Sequence, residues 1–167
     1  FVAKPQVRAP HIELRNVVQN IQNLGRYSCR IVSLDSIHAD MFIAKTMRVN
    51  VDDELYKGVF VHLDANKPAQ LEEIYVNPSL APAFIKQNYQ KVVADAYLSW
   101  VAQPNHTEYQ LSAIMPSAAQ RRHLELTHEG EGPCIKITKR HWAQELVISL
   151  SILINPSDSY HLGAEIT

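Results

Sequence analysis

The clearest periodicity in the chain lies between positions 55 and 76. Leu55, Val59, Val61 and Leu63 alternate with Tyr56, Gly58, Phe60, His62 and Asp64, the two-residue period of a strand with two distinct faces. Asp64-Ala-Asn-Lys67 supplies turn residues, and Ala69 to Val76 returns as a second strand that Pro78 closes, so a hairpin is predicted. Upstream, Val17, Val18, Ile21 and Leu24 fall on one helical face. Asn16 and Gln19 have capping-box spacing there, and Gly25 supplies a stop. Tyr27 to Ile37 alternates like a strand, and Asp40 is placed to cap a short helix through Met41, Ala44 and Met47.

Beyond the hairpin, Ser79 to Gln87 and Ala94 to Val101 read as short helices, and His106 to Met115 as a strand. Pro116 and Ser117 open a helix carrying Ala118, Arg121, Arg122 and Leu124. A Gly130-Glu-Gly-Pro133 turn leads into Cys134 to Trp142, which Glu145 to Ile154 pairs with, and Ser159 to Ile166 reads as a last edge strand. Phe1 to Pro10, with two prolines and no periodicity, reads as the remnant of an interdomain linker, and 11–167 as one domain. Consecutive hairpin strands with interspersed helices predict an α+β domain on a mostly antiparallel sheet flanked by helices.

Composition narrows the function classes. The 167 residues suffice for a real core, and 46% hydrophobic with 20% charged residues is ordinary for a globular domain. Sixteen basic and 17 acidic residues nearly cancel, so the chain lacks the basic field that phosphate-dominated binding needs. The longest apolar run, Leu146 to Ile154, is broken by Ser149 and Ser151 and is too short to span a membrane. Cys29 and Cys134, far apart, read as free thiols in a reducing, cytoplasmic setting.

No sequence motif for catalysis or cofactor binding is present: there is no GxGxxG, GxxxxGK[ST], GxSxG or HExxH. The eight histidines are scattered over different elements, which predicts no metal site. Glu72 and Glu73 are adjacent on a strand, so they face opposite ways and cannot pair as acid and base.

A polar stripe does emerge from the alternation. Phe60 and His62 share one face of the hairpin, Gln70 and Glu72 share a face of its partner strand, and Ser149 and Ser151 share one on the late strand. Two readings stand. Either the faces meet in a cleft with an acceptor, a titratable ring, an aromatic wall and hydroxyls, suited to a small polar aromatic ligand, or they are the wetted side of a half-exposed sheet.

The order and spacing of several short stretches resemble a known family. They are Glu13-Leu-Arg-Asn16, Gln70-Leu-Glu72, Val76-Asn-Pro78, Ala81-Pro82, Ala96-Tyr-Leu98, Pro133-Cys134, Arg140 with Trp142, and Asn155-Pro156 to Tyr160. Together they are similar to the UTRA effector domain of GntR-type transcription regulators, on the histidine-utilisation repressor branch. The resemblance implies a chorismate-lyase-like fold with a ligand held over the sheet, and a non-enzymatic sensor without a cofactor. It further implies a homodimer that meets operator DNA through an N-terminal winged helix-turn-helix, and urocanate or a related carboxylate as effector. Carried onto this sequence, the ligand positions are Arg15 and Asn16, Phe60 and His62, Glu72, and Ser149 with Ser151. Phe60 stands where that branch more often has a basic residue. A sugar-phosphate sensor of the same superfamily and a chorismate-lyase-like enzyme are the alternatives.

Overall fold

The computed structural model describes residues 11–127, 132–160 and 163–165. Along the chain these form β1 (His11–Glu13), α1 (Val17–Asn23), β2 (Tyr27–His38), α2 (Met41–Met47), β3 (Glu54–Asp64) and β4 (Lys67–Val76). A single 3-10 turn at Phe84–Lys86 follows, then α3 (Ala94–Ala102), β5 (His106–Ile114), α4 (Ala118–His123), β6 (Cys134–Ala143), β7 (Leu146–Pro156) and β8 (Gly163–Glu165). Six strands make one sheet in the order β2-β3-β4-β7-β6-β5, every neighbouring pair antiparallel. The domain is α+β, with helices on both faces of this sheet.

Local chemistry accounts for most of the boundaries. The β3–β4 turn places Ala65 and Asn66 at φ 48° and 67°, the left-handed pair of a turn whose twist suits a hairpin. Asp40 caps α2 by accepting from the Ile43 amide at 2.8 Å. Ser117 and Gln120 form a reciprocal capping box on α4. At α1 only half of the expected box forms. Asn16 accepts from the Gln19 amide at 3.0 Å, while the Gln19 side chain turns instead to Asn23. Gly25, at φ 68°, then reverses the chain.

Two expectations need correction. Ser79 to Gln87 is not a helix but turns around a 3-10 segment, because Pro78, Pro82 and the tilted packing of Phe84 on Tyr89 set the path. The closing strand is not an edge of the main sheet: Gly163–Glu165 pairs antiparallel with His11–Glu13 in a separate two-stranded sheet, and the β1 strand was not anticipated. Of the Gly130–Pro133 turn only Gly132 and Pro133 are described, and the linker reading of Phe1–Pro10 also lies outside the described residues.

Two layers pack on the sheet. On one face, Ile43, Ala44 and Met47 of α2 cluster with Leu55, Tyr75, Trp142 and Leu150, while Leu124 at the end of α4 meets Val61, Leu71 and Ile154. On the other, Phe60 and Ile74 pack under Phe84, Tyr89 and the α3 residues Ala94, Tyr97 and Leu98. That second face carries the polar stripe.

Candidate functional site

Strand register decides whether the polar stripes meet. Opposed residues of an antiparallel pair share a face. His62 opposes Gln70 and Phe60 opposes Glu72. Next, Glu72 opposes Leu153, Ile74 opposes Ser151 and Val76 opposes Ser149. On β6, Lys139 opposes Ser151 and His141 opposes Ser149, and on β5 Tyr109 opposes Lys139. The stripes therefore join on one face of one sheet. This face is not wetted: Phe60, His62, Glu72, Ser149 and Ser151 are each at most 4% exposed, so the half-exposed-sheet reading fails.

Between this face, α1 and α3 lies a cavity of about 300 Å³. One wall is the segment from Leu14 to Gln19 with Gln22, and another is Val93, Asp95, Ala96 and Ser99 at the start of α3. The floor comprises Gln70, Glu72, Tyr109, Ile137, Lys139 and Leu153. Of the residues singled out by sequence, Arg15, Asn16 and Glu72 line the cavity. Phe60 and His62 sit behind Glu72 in the core and Ser149 and Ser151 further along the face, none of them among the cavity walls. Both serine hydroxyls are buried without a hydrogen-bond partner among the described residues.

Reasoning from sequence missed Asp95, Lys139 and Tyr109. Lys139 and His141 continue the polar face onto β6, but the opposite alternation (Lys136, Thr138, Arg140) is polar too, so periodicity alone could not choose between them. Asp95 lies in the first turn of a helix, where an acid is ordinary.

Two hydrogen-bonded chains organise the floor. In the first, Tyr27 Oη meets His62 Nδ1 at 2.9 Å and His62 Nε2 meets Glu72 Oε2 at 2.7 Å. Burial works against a charged His62 ring, but the neighbouring Cys29 sulfur and the Glu72 hydrogen bond and charge outweigh it and push its pKa up to about 9. Burial likewise opposes ionisation of Glu72, yet the His62 hydrogen bond and charge, helped by Lys139, hold its carboxyl below the ordinary value. The pair is an imidazolium donating to a carboxylate.

In the second chain, Asp95 Oδ1 accepts from Lys139 Nζ and from His141 Nε2, each at 2.8 Å. His141 Nδ1 in turn meets the Thr107 hydroxyl at 2.8 Å. Burial disfavours the Asp95 charge, but the His141 hydrogen bond and the Lys139 ammonium hold the carboxyl well below its usual range. Lys139, disfavoured by burial, is held charged by Asp95 and Glu72.

These bonds use one oxygen of each carboxylate. Among the described residues, Glu72 Oε1 and Asp95 Oδ2 take no hydrogen bond, so each can accept from a donor in the cavity. Arg15, exposed and with a side-chain hydrogen bond to the Ser159 carbonyl that is long at 3.5 Å, brings a cation to the rim. The arrangement suits a small ligand with N–H groups at one end and an anion at the other. Among the described residues, no group of three His, Cys, Asp or Glu could hold a metal, and no helix is long and apolar enough to cross a membrane.

Comparison with known proteins adds the family context. The UTRA domain profile matches residues 23–161. The histidine utilization repressor of Pseudomonas putida is 29% identical over 163 residues, 97% of this chain but 65% of that protein. That of Klebsiella aerogenes is 25% identical over the same share of this chain and 67% of its own length. The chain thus spans about two thirds of the length of these relatives. Among solved structures, the C-terminal domain of the histidine utilization repressor from Pseudomonas syringae pv. tomato superposes with a TM-score of 0.79 at 27% identity, covering 85% of this chain and 99% of that one. PhnF from Mycobacterium smegmatis gives 0.79 at 15% identity, over 99% of this chain and 74% of its own, a likeness of fold alone.

Proposed function

This chain belongs to the UTRA domain family, and from that premise we propose that it is the effector-sensing part of a GntR-type transcription repressor of the histidine-utilisation branch. It is a binding domain and not an enzyme, and operator DNA is met by a winged helix-turn-helix outside this chain. The effector is a small carboxylate, with urocanate the best match. The observation that carries the reading is the cavity itself, with carboxylate oxygens of Glu72 and Asp95 on its floor and wall and Arg15 at its rim.

Urocanate is planar, with an imidazole at one end and a carboxylate at the other. In the proposed pose the carboxylate meets Arg15 and the Val17 and Val18 amides, and a ring N–H donates to Glu72. Apolar walls come from Val93, Ile137 and Leu153, in place of the stacking expected of Phe60, which is 1% exposed beneath the floor. A ligand lacking the N–H would leave a buried carboxylate oxygen without a donor, a penalty of about 1–3 kcal/mol or more.

The test is thermal stability of the chain with urocanate, histidine, imidazole propionate, glucosamine-6-phosphate and chorismate. A ligand at about 100 times its dissociation constant adds roughly 2.7 kcal/mol. The expected result is a shift with urocanate that Glu72→Gln abolishes. A shift with glucosamine-6-phosphate alone would replace the effector by a sugar phosphate, and silence across the panel would overturn the sensor reading.

A further inference from the structure

We propose that the cavity takes its effector with the imidazole ring neutral, lying flat between Glu72 and Lys139. Glu72 accepts from the ring N–H, and the Lys139 ammonium donates to the other ring nitrogen. Lys139 is then a specificity-determining residue: it admits a ring with one donor and one acceptor and turns away the protonated form. The proposal deepens the effector reading and rests on it for the ligand itself.

The sheet register sets the two polar groups a ring apart. Glu72 opposes Leu153 on β7, and Leu153 opposes Ile137 on β6, so these three form one row across the face. Lys139 stands two residues along β6 from Ile137. Two strand spacings of about 4.8 Å and two residue rises of about 3.4 Å separate the Glu72 and Lys139 backbones by roughly 12 Å. Two hydrogen bonds of about 2.8 Å with a five-membered ring between them need acceptor and donor atoms roughly 7–8 Å apart. Two long side chains leaning toward each other meet that span. Between them the floor is apolar, formed by Leu153 and Ile137, a platform for the face of a planar ring and not for a further polar group.

Both ends have bonding capacity to spare. Glu72 uses Oε2 on His62 and leaves Oε1. Lys139 gives one of its three donors to Asp95 at 2.8 Å, and among the described residues no other hydrogen bond uses the remaining two. Asp95 thereby holds the ammonium in place, while its own carboxylate, 36% exposed, keeps access to water.

Charge decides between a neutral ring and an imidazolium. Glu72 with His62, and Asp95 with Lys139, are two cancelling ion pairs. Arg15 adds one positive charge at the rim, which the effector's carboxylate balances. An imidazolium would bring an uncompensated cation into the cavity and point an N–H at the Lys139 ammonium. His141, which also meets Asp95, can only add positive charge, and the remaining titratable group in the walls, the Tyr109 phenol, is neutral. Like charges at such range in a closed site are strongly unfavourable.

Calorimetric titration of urocanate across pH reads the ring directly. Between about pH 5 and 8 the charges of Glu72, His62, Asp95 and Lys139 are constant, while a free imidazole ring titrates near about 6.5. Affinity should fall roughly 30-fold from about pH 8 to about pH 5, with about one proton released on binding at the lower pH. This profile uses the unaltered chain and stands whether or not a variant folds. The pyrrol-2-yl and pyrrol-3-yl acrylates keep a ring N–H and the carboxylate but lack the second ring nitrogen, so their affinity should hold across the same range. At pH 8, Lys139→Met should weaken urocanate roughly tenfold or more, as loss of a hydrogen bond to a charged group does, and weaken the better-binding pyrrole far less. Urocanate binding that tightens toward pH 5, a fall shared by the pyrroles, or equal losses for both ligands in Lys139→Met would overturn the neutral-ring pose and leave urocanate as effector. Urocanate that binds at neither pH would overturn the effector reading and this pose with it.

Discussion

Glu72 Oε2 lies 2.7 Å from His62 Nε2, and the two side chains are 5% and 2% exposed. A buried ion pair beneath a ligand floor ties stability to pH in a way that can be read by sign. His62 has its pKa raised from 6.5 to about 9, so its contribution is complete below 6.5 and is lost as pH rises through about 9. Glu72 has its pKa lowered from 4.5, so its contribution is complete above 4.5 and is lost as pH falls through that lowered value. Between these limits the pair is fully formed.

Urea unfolding across pH should therefore show greatest stability from this pair at about pH 5–6.5, with a decline toward pH 9 on the order of 3 kcal/mol. Glu72→Gln should lower stability in the plateau and flatten the alkaline limb. A wild-type profile with no decline between about pH 6.5 and 9 would mean that the ring is neutral in the fold.

Gly58 shows how closely the same layer is packed. A β-carbon built there would stand 2.6 and 2.7 Å from Cε2 and Cζ of Phe60 and 3.2 Å from Cγ2 of Ile74. Phe60 is 1% exposed and packs against Tyr89 at a ring separation of 5.1 Å, so the ring has nowhere to retreat. Gly58→Ala should destabilise by about 1–3 kcal/mol, as overpacking does, measured as a lower urea midpoint with an unchanged slope. An unaffected midpoint would show that the Phe60 ring relaxes freely.

The hairpin and both polar stripes on it were legible in the sequence, because strand alternation and turn chemistry are local. The cavity was only half legible. Arg15, Asn16 and Glu72 line it, but Phe60 and His62 are buried beneath because α3 and the Phe84 segment cover that part of the sheet, a tertiary fact that no window of sequence contains. Asp95 and Lys139 meet across 44 residues, and β1 with β8 across the whole domain. Pairings of that separation depend on the assembled fold.

Arg15 separates binding from stability. Its side chain is exposed and its hydrogen bond to the Ser159 carbonyl is long at 3.5 Å, so Arg15→Ala should leave the stability within about 0.5 kcal/mol. If the carboxylate of the effector sits at the rim, losing this charged donor should weaken urocanate binding roughly tenfold or more, a hydrogen bond to a charged group being worth about 1.5–3 kcal/mol. Titration calorimetry on both proteins decides the matter. Equal affinities would move the carboxylate elsewhere in the cavity.

Asp95 is the joint of the second chain, accepting from both Lys139 and His141 through one oxygen. Asp95→Asn keeps the shape but leaves the ammonium of Lys139, whose side chain is 10% exposed, with only the more distant Glu72 charge. Orphaning one member of a fully buried pair costs about 3–5 kcal/mol. The Asp95 carboxylate is 36% exposed, so solvent screening reduces the expected loss to about 1–2 kcal/mol. Lys139→Met removes the cation and leaves Asp95 its His141 hydrogen bond and its access to water, so it should cost less. The combination Asp95→Asn with Lys139→Met should then be less destabilised than the sum of the two single changes, because the second change removes the charge that the first one stranded. Unfolding of the four proteins in urea measures this directly. Additive losses, or a larger loss for Lys139→Met than for Asp95→Asn, would show that the ammonium is solvated and not held by this carboxylate.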